Sequence, residues 1–249
     1  MTLIVVLIFA LLNIVLAVYL VKNERGPKKP VIGLLAASLF GVFSLIIGII
    51  IESFAVTISD TAPLRLGDAL HVGIIEEAAK FLPLALFIRR KPYFDEVTDG
   101  IIYFGIVGMS FGFFENAGYT LMYGVSAGIA RLILTPLFHT ATTAIIGYFF
   151  ARWKLKLAPL KSVILAFTAI VLLHAAYDYF LSGEHALLVL ISLVITFGLD
   201  IFFFVFYNRA VGEDRKLGLS LYGPNRYCTN CGRPNPQRSR FCSFCGNHM

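Results

Sequence analysis

The sequence is short of charge. Asp, Glu, Lys and Arg make up 14% of its 249 residues, against about 25% in an ordinary soluble domain. Hydrophobic residues reach 58% and the mean hydropathy is +0.79, more apolar surface than one soluble core can hide. A soluble globular protein is excluded. Cysteine is scarce as well: all four cysteines fall between positions 228 and 245. No HExxH stands anywhere in the chain, so the pattern that puts two zinc-binding histidines on one helix face is missing. Lys and Arg are absent from residues 56–63, from the turn around Gly124 and from 182–184, with only Arg65 nearby.

What is present is a series of apolar blocks of about 20 residues, the length that crosses a hydrocarbon core of about 30 Å as a helix. They run over 2–21, 31–55, 64–88, 99–124, 126–150, 161–181 and 185–207. The fold expected is an all-α polytopic membrane protein of about seven transmembrane helices. The first block is not read as a signal peptide, because nothing basic follows Met1 and its apolar run exceeds the usual 7–15 residues. The loops alternate in charge. Lys22, Arg25, Lys28 and Lys29 precede the second block, Arg89, Arg90 and Lys91 follow the third, and Arg152, Lys154, Lys156 and Lys161 follow the fifth. By the positive-inside rule the N-terminus lies outside and the C-terminus in the cytoplasm. The net charge of +6 is then a topology signal. Nucleic-acid binding, which gathers basic residues on one face, is not expected.

Composition changes after Asn208. Residues 1–208 form the membrane domain, 209–227 read as a polar linker, and 228–246 hold two CxxC knuckles, Cys228/Cys231 and Cys242/Cys245, each followed by glycine. Four thiolates at this spacing close a tetrahedral site, and so small a module has no core without one. Two disulfides would need an oxidising compartment, so structural Zn²⁺ in a zinc ribbon is expected. Arg226, Arg233, Arg238 and Arg240 offer a cytoplasmic protein partner a basic face, or are simply solvated.

Ionisable residues inside spans are functional-site candidates, because each costs free energy unless paired. The third block carries Asp68, His71, Glu76, Glu77 and Lys80; the fourth Glu115 and Asn116; the fifth Arg131 and His139; the sixth His174 and Asp178; the seventh Asp200. At 1.5 Å per residue, Glu76, Glu115, His139 and His174 lie ~18, ~14, ~20 and ~10 Å below the outer ends of their blocks. Four helices thus present Glu, Glu, His and His at similar depth. His174 and Asp178 are i,i+4, as are Glu76 and Lys80, so each pair shares a helix face. One lysine can hold one carboxylate ionised and leave the other to act as a base. Asp68, His71 and Arg131 read as hydrated, Asp200 as a snorkelling or capping residue, Asp99 as an N-cap and Asn116 as local helix glue.

E-E-A-A-K (76–80), F-G-F-F-E-N (111–116), His139 and H-A-A-Y-D (174–178) resemble the EExxK, FxxxEN, H and HxxxD motifs of the PrsW family of intramembrane proteases. That family is related to the CAAX prenyl endopeptidases and bacteriocin-processing proteins. The resemblance covers roughly residues 1–207 and implies an endopeptidase that cuts a membrane-anchored protein near the outer face. It implies Glu76 as the base that activates water and Glu77 and Lys80 as its tuning partners. Glu115, His139 and His174 would bind water, stabilise the oxyanion or shuttle a proton, and Asp178 would support His174. A catalytic metal stays open, since the same Glu, His and Asp side chains serve either a bound Zn²⁺ or a purely glutamate-driven site. The zinc-ribbon tail departs from the minimal family pattern. A proton-coupled transporter and a non-catalytic sensor signalling through the tail are the rival functions.

Overall fold

The computed structural model describes residues 29–55, 64–131, 134–183, 185–217, 225–236 and 239–249, with isolated helical positions at 11, 14 and 18. The helices are α1 (Val31–Ala55), α2 (Leu66–Ile88), α3 (Val97–Tyr123), α4 (Val125–Arg131), α5 (Leu134–Lys154), α6 (Leu160–Leu181) and α7 (Ala186–Leu217). Strands β1 (Asn225–Tyr227) and β2 (Pro234–Pro236) pair antiparallel in the tail. Four helices, α1, α3, α6 and α7, are long and apolar enough to cross a membrane. The remaining long helices, α2 and α5, carry Glu76, Glu77, Lys80 and His139, while Glu115 is on α3 and His174 and Asp178 are on α6. The count of about seven spans is therefore met only in part, and the first expected span, 2–21, lies almost entirely outside the described residues.

One boundary differs from expectation. The block at 126–150 is described as α4 and α5, with residues 132–133 between them outside the described residues. The difference is α7, which continues to Leu217, through the first part of the stretch read as linker. The reason is at the start of α3, whose first amides are buried and need acceptors. Asp214 takes the Val97 and Thr98 N–H groups at 2.7 and 3.0 Å, and Glu213 takes the Tyr148 hydroxyl at 2.8 Å. Asp99 is not the N-cap expected. Glu96 is, and Asp99 closes the capping box from within the helix, taking the Glu96 N–H at 2.8 Å. Lys29 pairs with both carboxylates at 2.5 and 2.6 Å.

The core lies between α3 and α5. Their backbones touch because glycines face each other: a Cβ on Gly100 would collide with the Gly147 carbonyl, and one on Gly147 with the Gly100 carbonyl. Further along, a Cβ on Gly108 would collide with the His139 carbonyl. Close small-residue packing of this kind is how membrane helices associate without a hydrophobic driving force. It also brings His139 against the face of α3 that carries Glu115. Gly147→Val is expected to push α5 off α3 and destabilise the fold by about 1–3 kcal/mol, the usual cost of overpacking. A thermal unfolding midpoint in detergent equal to wild type would contradict that. On the outside, α1 exposes Leu35, Leu39, Phe43, Ile46 and Ile50, and α7 exposes Val194, Phe197, Ile201 and Val205, apolar faces suited to lipid.

Candidate active site

The segment Glu76–Glu77–Ala78–Ala79–Lys80 is one turn of α2, and all three charged side chains meet. Lys80 is fully buried, and its Nζ donates to Glu77 Oε1 at 2.7 Å. The same ammonium lies 2.8 Å from His139 Nδ1 on α5 and 3.6 Å from Glu76 Oε2. A lysine ammonium is only a donor, so His139 Nδ1 carries the lone pair. Its Nε2–H is then left to donate to Glu115 Oε2 on α3, 2.7 Å away. Glu115 Oε1 in turn accepts from Arg131 Nη2 at 2.5 Å. Buried charges and polar groups are paired along this chain, as low polarity demands.

His174 on α6 closes the cluster from the other side. Its Nδ1 is 2.8 Å from Glu77 Oε1, while Nε2 faces Asp178 Oδ2 at 3.3 Å and Glu76 Oε2 at 3.5 Å. Aromatic walls fix the rings: Phe111 packs edge-on against His139 with centroids 4.9 Å apart, and Phe138 against His174 at 5.0 Å. Gly112 leaves room for the His139 ring, since a Cβ there would stand 2.9 Å from its Cδ2. The two adjacent glutamates therefore differ. Glu77 is wholly buried and its Oε1 is bonded twice, whereas Glu76 is slightly open, at 11% side-chain exposure. Glu76 Oε2 has no hydrogen-bond partner among the described residues.

All seven site residues expected from the sequence, Glu76, Glu77, Lys80, Glu115, His139, His174 and Asp178, converge. Measured from the ends of the described helices, Glu76, Glu115 and His174 lie ~15, ~12 and ~10 Å deep. Arg131 is a correction: it does not stand free in water but binds Glu115 and stacks over Tyr119 at 4.0 Å. Asn116 acts as glue, donating to the Gly128 carbonyl at 3.3 Å. His71 is exposed and Asp68 and Asp200 are half-buried. Glu52 on α1 went unnoticed in the sequence. It lies within electrostatic range of Glu115, Asp178, His174 and Lys80, and its signal was available: it is the one charged residue in the block 31–55.

Glu76, His139 and His174 offer donor atoms all within 4.8 Å of one another. Glu76 Oε2 is 4.0 Å from His139 Nδ1 and 3.5 Å from His174 Nε2, near the ~3.3 Å that ligands of a tetrahedral zinc keep at bonds of about 2.0–2.1 Å. The outer ring nitrogens rest on the carboxylates of Glu115 and Glu77, the support that metal-binding histidines ordinarily have. The donor set fits a divalent ion. Lys80 Nζ holds the direction that such an ion would need at His139 Nδ1, so ammonium and ion are alternatives at that nitrogen.

In the tail the Cys228 and Cys245 sulfurs stand 3.7 Å apart and those of Cys231 and Cys242 3.5 Å, with all four thiols unoxidised. Zn–S bonds of about 2.3 Å in a tetrahedron place sulfurs ~3.8 Å apart, so zinc fits. Gly232 and Gly246 take the left-handed φ values of 67° and 71° that turn each knuckle. The Asn235 amide and the Phe244 N–H point at Cys242 Sγ at 3.5 and 3.4 Å, the charge-stabilising contacts a thiolate ligand wants. Replacing Cys231 and Cys245 together by serine is expected to lower bound zinc by one ion per chain, measured by elemental analysis. An unchanged zinc content would remove the tail from the metal's coordination.

A bundle of apolar helices enclosing a carboxylate–histidine cluster defines a polytopic intramembrane hydrolase. Residues 29–207 match the model of the PrsW family intramembrane metalloproteases, and 227–249 match a zinc-ribbon domain. The chain belongs to the PrsW family. It is 31% identical over 156 residues to the Protease PrsW of Shouchella clausii (strain KSM-K16), covering 61% of this chain and 72% of that one. It is 28% identical over 174 residues to the Protease PrsW of Geobacillus kaustophilus (strain HTA426), covering 69% and 77%. With the Protease PrsW of Clostridioides difficile (strain 630) it shares 25% over 201 residues, covering 76% and 84%. No solved structure matches the chain. The protein is an intramembrane protease with a structural zinc ribbon, which sets aside the transporter and sensor readings.

Proposed function

We propose that Glu76 is the general base of a peptide-bond hydrolysis carried out in the outer half of the bilayer. The observation that carries this is its Oε2 atom: buried, unbonded, and 3.5–4.0 Å from His174, Lys80 and His139. Polar atoms held that far apart leave room for a bridging water. Glu76 takes one proton from that water, and its oxygen attacks the scissile carbonyl carbon. His174, held between Glu77 and Asp178, donates through Nε2 to the oxyanion. The proton on Glu76 then passes to the amide nitrogen as the C–N bond breaks, so a carboxylic acid and an amine leave. Glu77 and Lys80 hold the cluster together, and Arg131–Glu115 fixes the His139 ring. A divalent ion held by Glu76 Oε2, His139 Nδ1 and His174 Nε2 would supply Lewis-acid polarisation of the water and the carbonyl.

The substrate on this reading is a membrane-anchored protein whose helix unwinds locally beside α2, α3, α5 and α6. The N-terminus lies outside and the tail in the cytoplasm, the orientation that the alternation of basic loops supports. There the ribbon offers a protein partner its surface, while residues 1–208 carry the chemistry. The test is N-terminal peptide sequencing of the membrane proteome from cells carrying wild-type protein or Glu76→Gln at equal levels. New N-termini near membrane spans that disappear with Glu76→Gln are expected. Identical sets of N-termini would overturn the reading.

A further inference from the structure

The buried face of α1 is a stripe of small residues, Ala37, Gly41, Ser44 and Gly48, spaced three or four apart. Glu52 is the next position on that stripe. Ser44 fixes its register, donating to the Ala79 carbonyl in the turn of α2 that holds the catalytic glutamates, at 2.6 Å. Glu52 follows about 12 Å further along α1, toward the outer end. It lies at the mouth of the site, outward of Glu76. Its Oε1 folds back over Gly48, where an added Cβ would stand 3.8 Å from it. That oxygen is shut off from solvent and has no hydrogen-bond partner among the described residues.

The charges around the mouth do not balance. Among the described residues five carboxylates (Glu52, Glu76, Glu77, Glu115 and Asp178) share this region with two permanent cations, Lys80 and Arg131. Both cations already have their own carboxylate, Glu77 and Glu115. Even with His174 carrying a proton, Glu52 is left without a counter-charge. A half-buried carboxylate with one oxygen shut off from solvent asks for a cationic donor more than for a neutral amide. A Lys or Arg near the end of a membrane segment carries its charged head to the interface by snorkelling, the depth where Glu52 stands.

We infer that Glu52 is a specificity-determining carboxylate: from α1 it takes the Lys or Arg side chain of a substrate beside the scissile bond. The preferred substrate is then a membrane-anchored segment with a basic residue next to the cut. The inference rests on the protease reading above and adds to it the chemistry of the flanking residue.

The experiment uses the full-length protein in membranes and a substrate found through its Glu76-dependent N-terminus. Basic residues within three positions of the cut are changed to Gln, and cleavage is compared for wild type, Glu52→Gln and Glu52→Asp at equal membrane level. Wild type is expected to lose about tenfold in kcat/KM on the neutralised substrate, as when a site built to bind a polar group meets an analogue lacking it. Glu52→Gln should lose the same factor on the native substrate and nothing further on the neutralised one, the non-additivity of two groups in contact. Glu52→Asp should restore part of the preference. Three results overturn the inference: a native cut without a flanking Lys or Arg, wild type cutting both substrates equally, or Glu52→Gln slowing both by the same factor. If wild type yields no Glu76-dependent N-termini at all, the protease reading itself falls, and with it this one.

Discussion

Glu76→Gln is expected to lower kcat by about 10²–10⁴-fold, the share of rate a positioned general base supplies, while costing about 1 kcal/mol or less in stability. Both halves follow from the same geometry. Glu76 Oε2 makes no hydrogen bond in the cluster, so an amide of equal size removes only longer ion pairs, such as that with Lys80 at 3.6 Å. It also cannot accept the proton that the water must lose. Glu77→Gln is the instructive contrast. Glu77 Oε1 receives both Lys80 Nζ and His174 Nδ1, so its neutralisation leaves an ammonium buried beside an imidazole without their shared anion. Loss of folded protein, and not merely of rate, is expected there. Turnover by Glu76→Gln near the wild-type value, with thermal unfolding unchanged, would move the base to another residue.

Lys80→Met should be the most destabilising single change in the helical body, by about 3–5 kcal/mol, the cost of breaking a buried ion pair by removing one partner. Native domains hold only about 5–15 kcal/mol in total. Lys80 is fully shielded from solvent and contacts Glu77, Glu76 and His139 at 2.7, 3.6 and 2.8 Å. Methionine fills the volume and supplies no charge. Glu77 is then a buried carboxylate held by His174 alone, and His139 Nδ1 an unpaired acceptor, on two helices that the lysine nitrogen had joined. The double change Lys80→Met with Glu77→Gln should recover part of the loss, because removing both charges also removes the desolvation that one of them left uncompensated. Thermal unfolding in detergent, with yield from membranes as a second readout, measures both. A single Lys80→Met variant as stable as wild type would mean that His174 alone satisfies Glu77.

Local sequence was enough to find the α2 cluster, because a helix turn places residues three and four apart on one face whatever surrounds it. The same rule paired His174 with Asp178. It could not show which of two adjacent glutamates is bonded and which is free, since that depends on Lys80, His174 and His139 arriving from three different helices. Glu52 escaped for a related reason: a single acid in an apolar helix has no local partner, and only the α1 stripe gives it a direction. Arg131 escaped because its partner Glu115 is on another helix, sixteen positions earlier in the chain.

Composition, block length and motif spacing by themselves determined that this chain is a helical membrane protein with a polar cluster in its spans and a four-cysteine zinc module at its end. Those properties depend on solvent transfer and on periodicities within a single helix or knuckle, which a linear sequence carries in full. Tertiary structure alone decided that α7 runs on past Asn208 and that Asp214, from a stretch read as linker, caps α3. It also separated Glu77 as the bonded anchor from Glu76 as the open carboxylate. Each of these turns on a buried group finding its partner across the bundle, and such partners are set by packing between α3 and α5, α2 and α6, not by position along the chain.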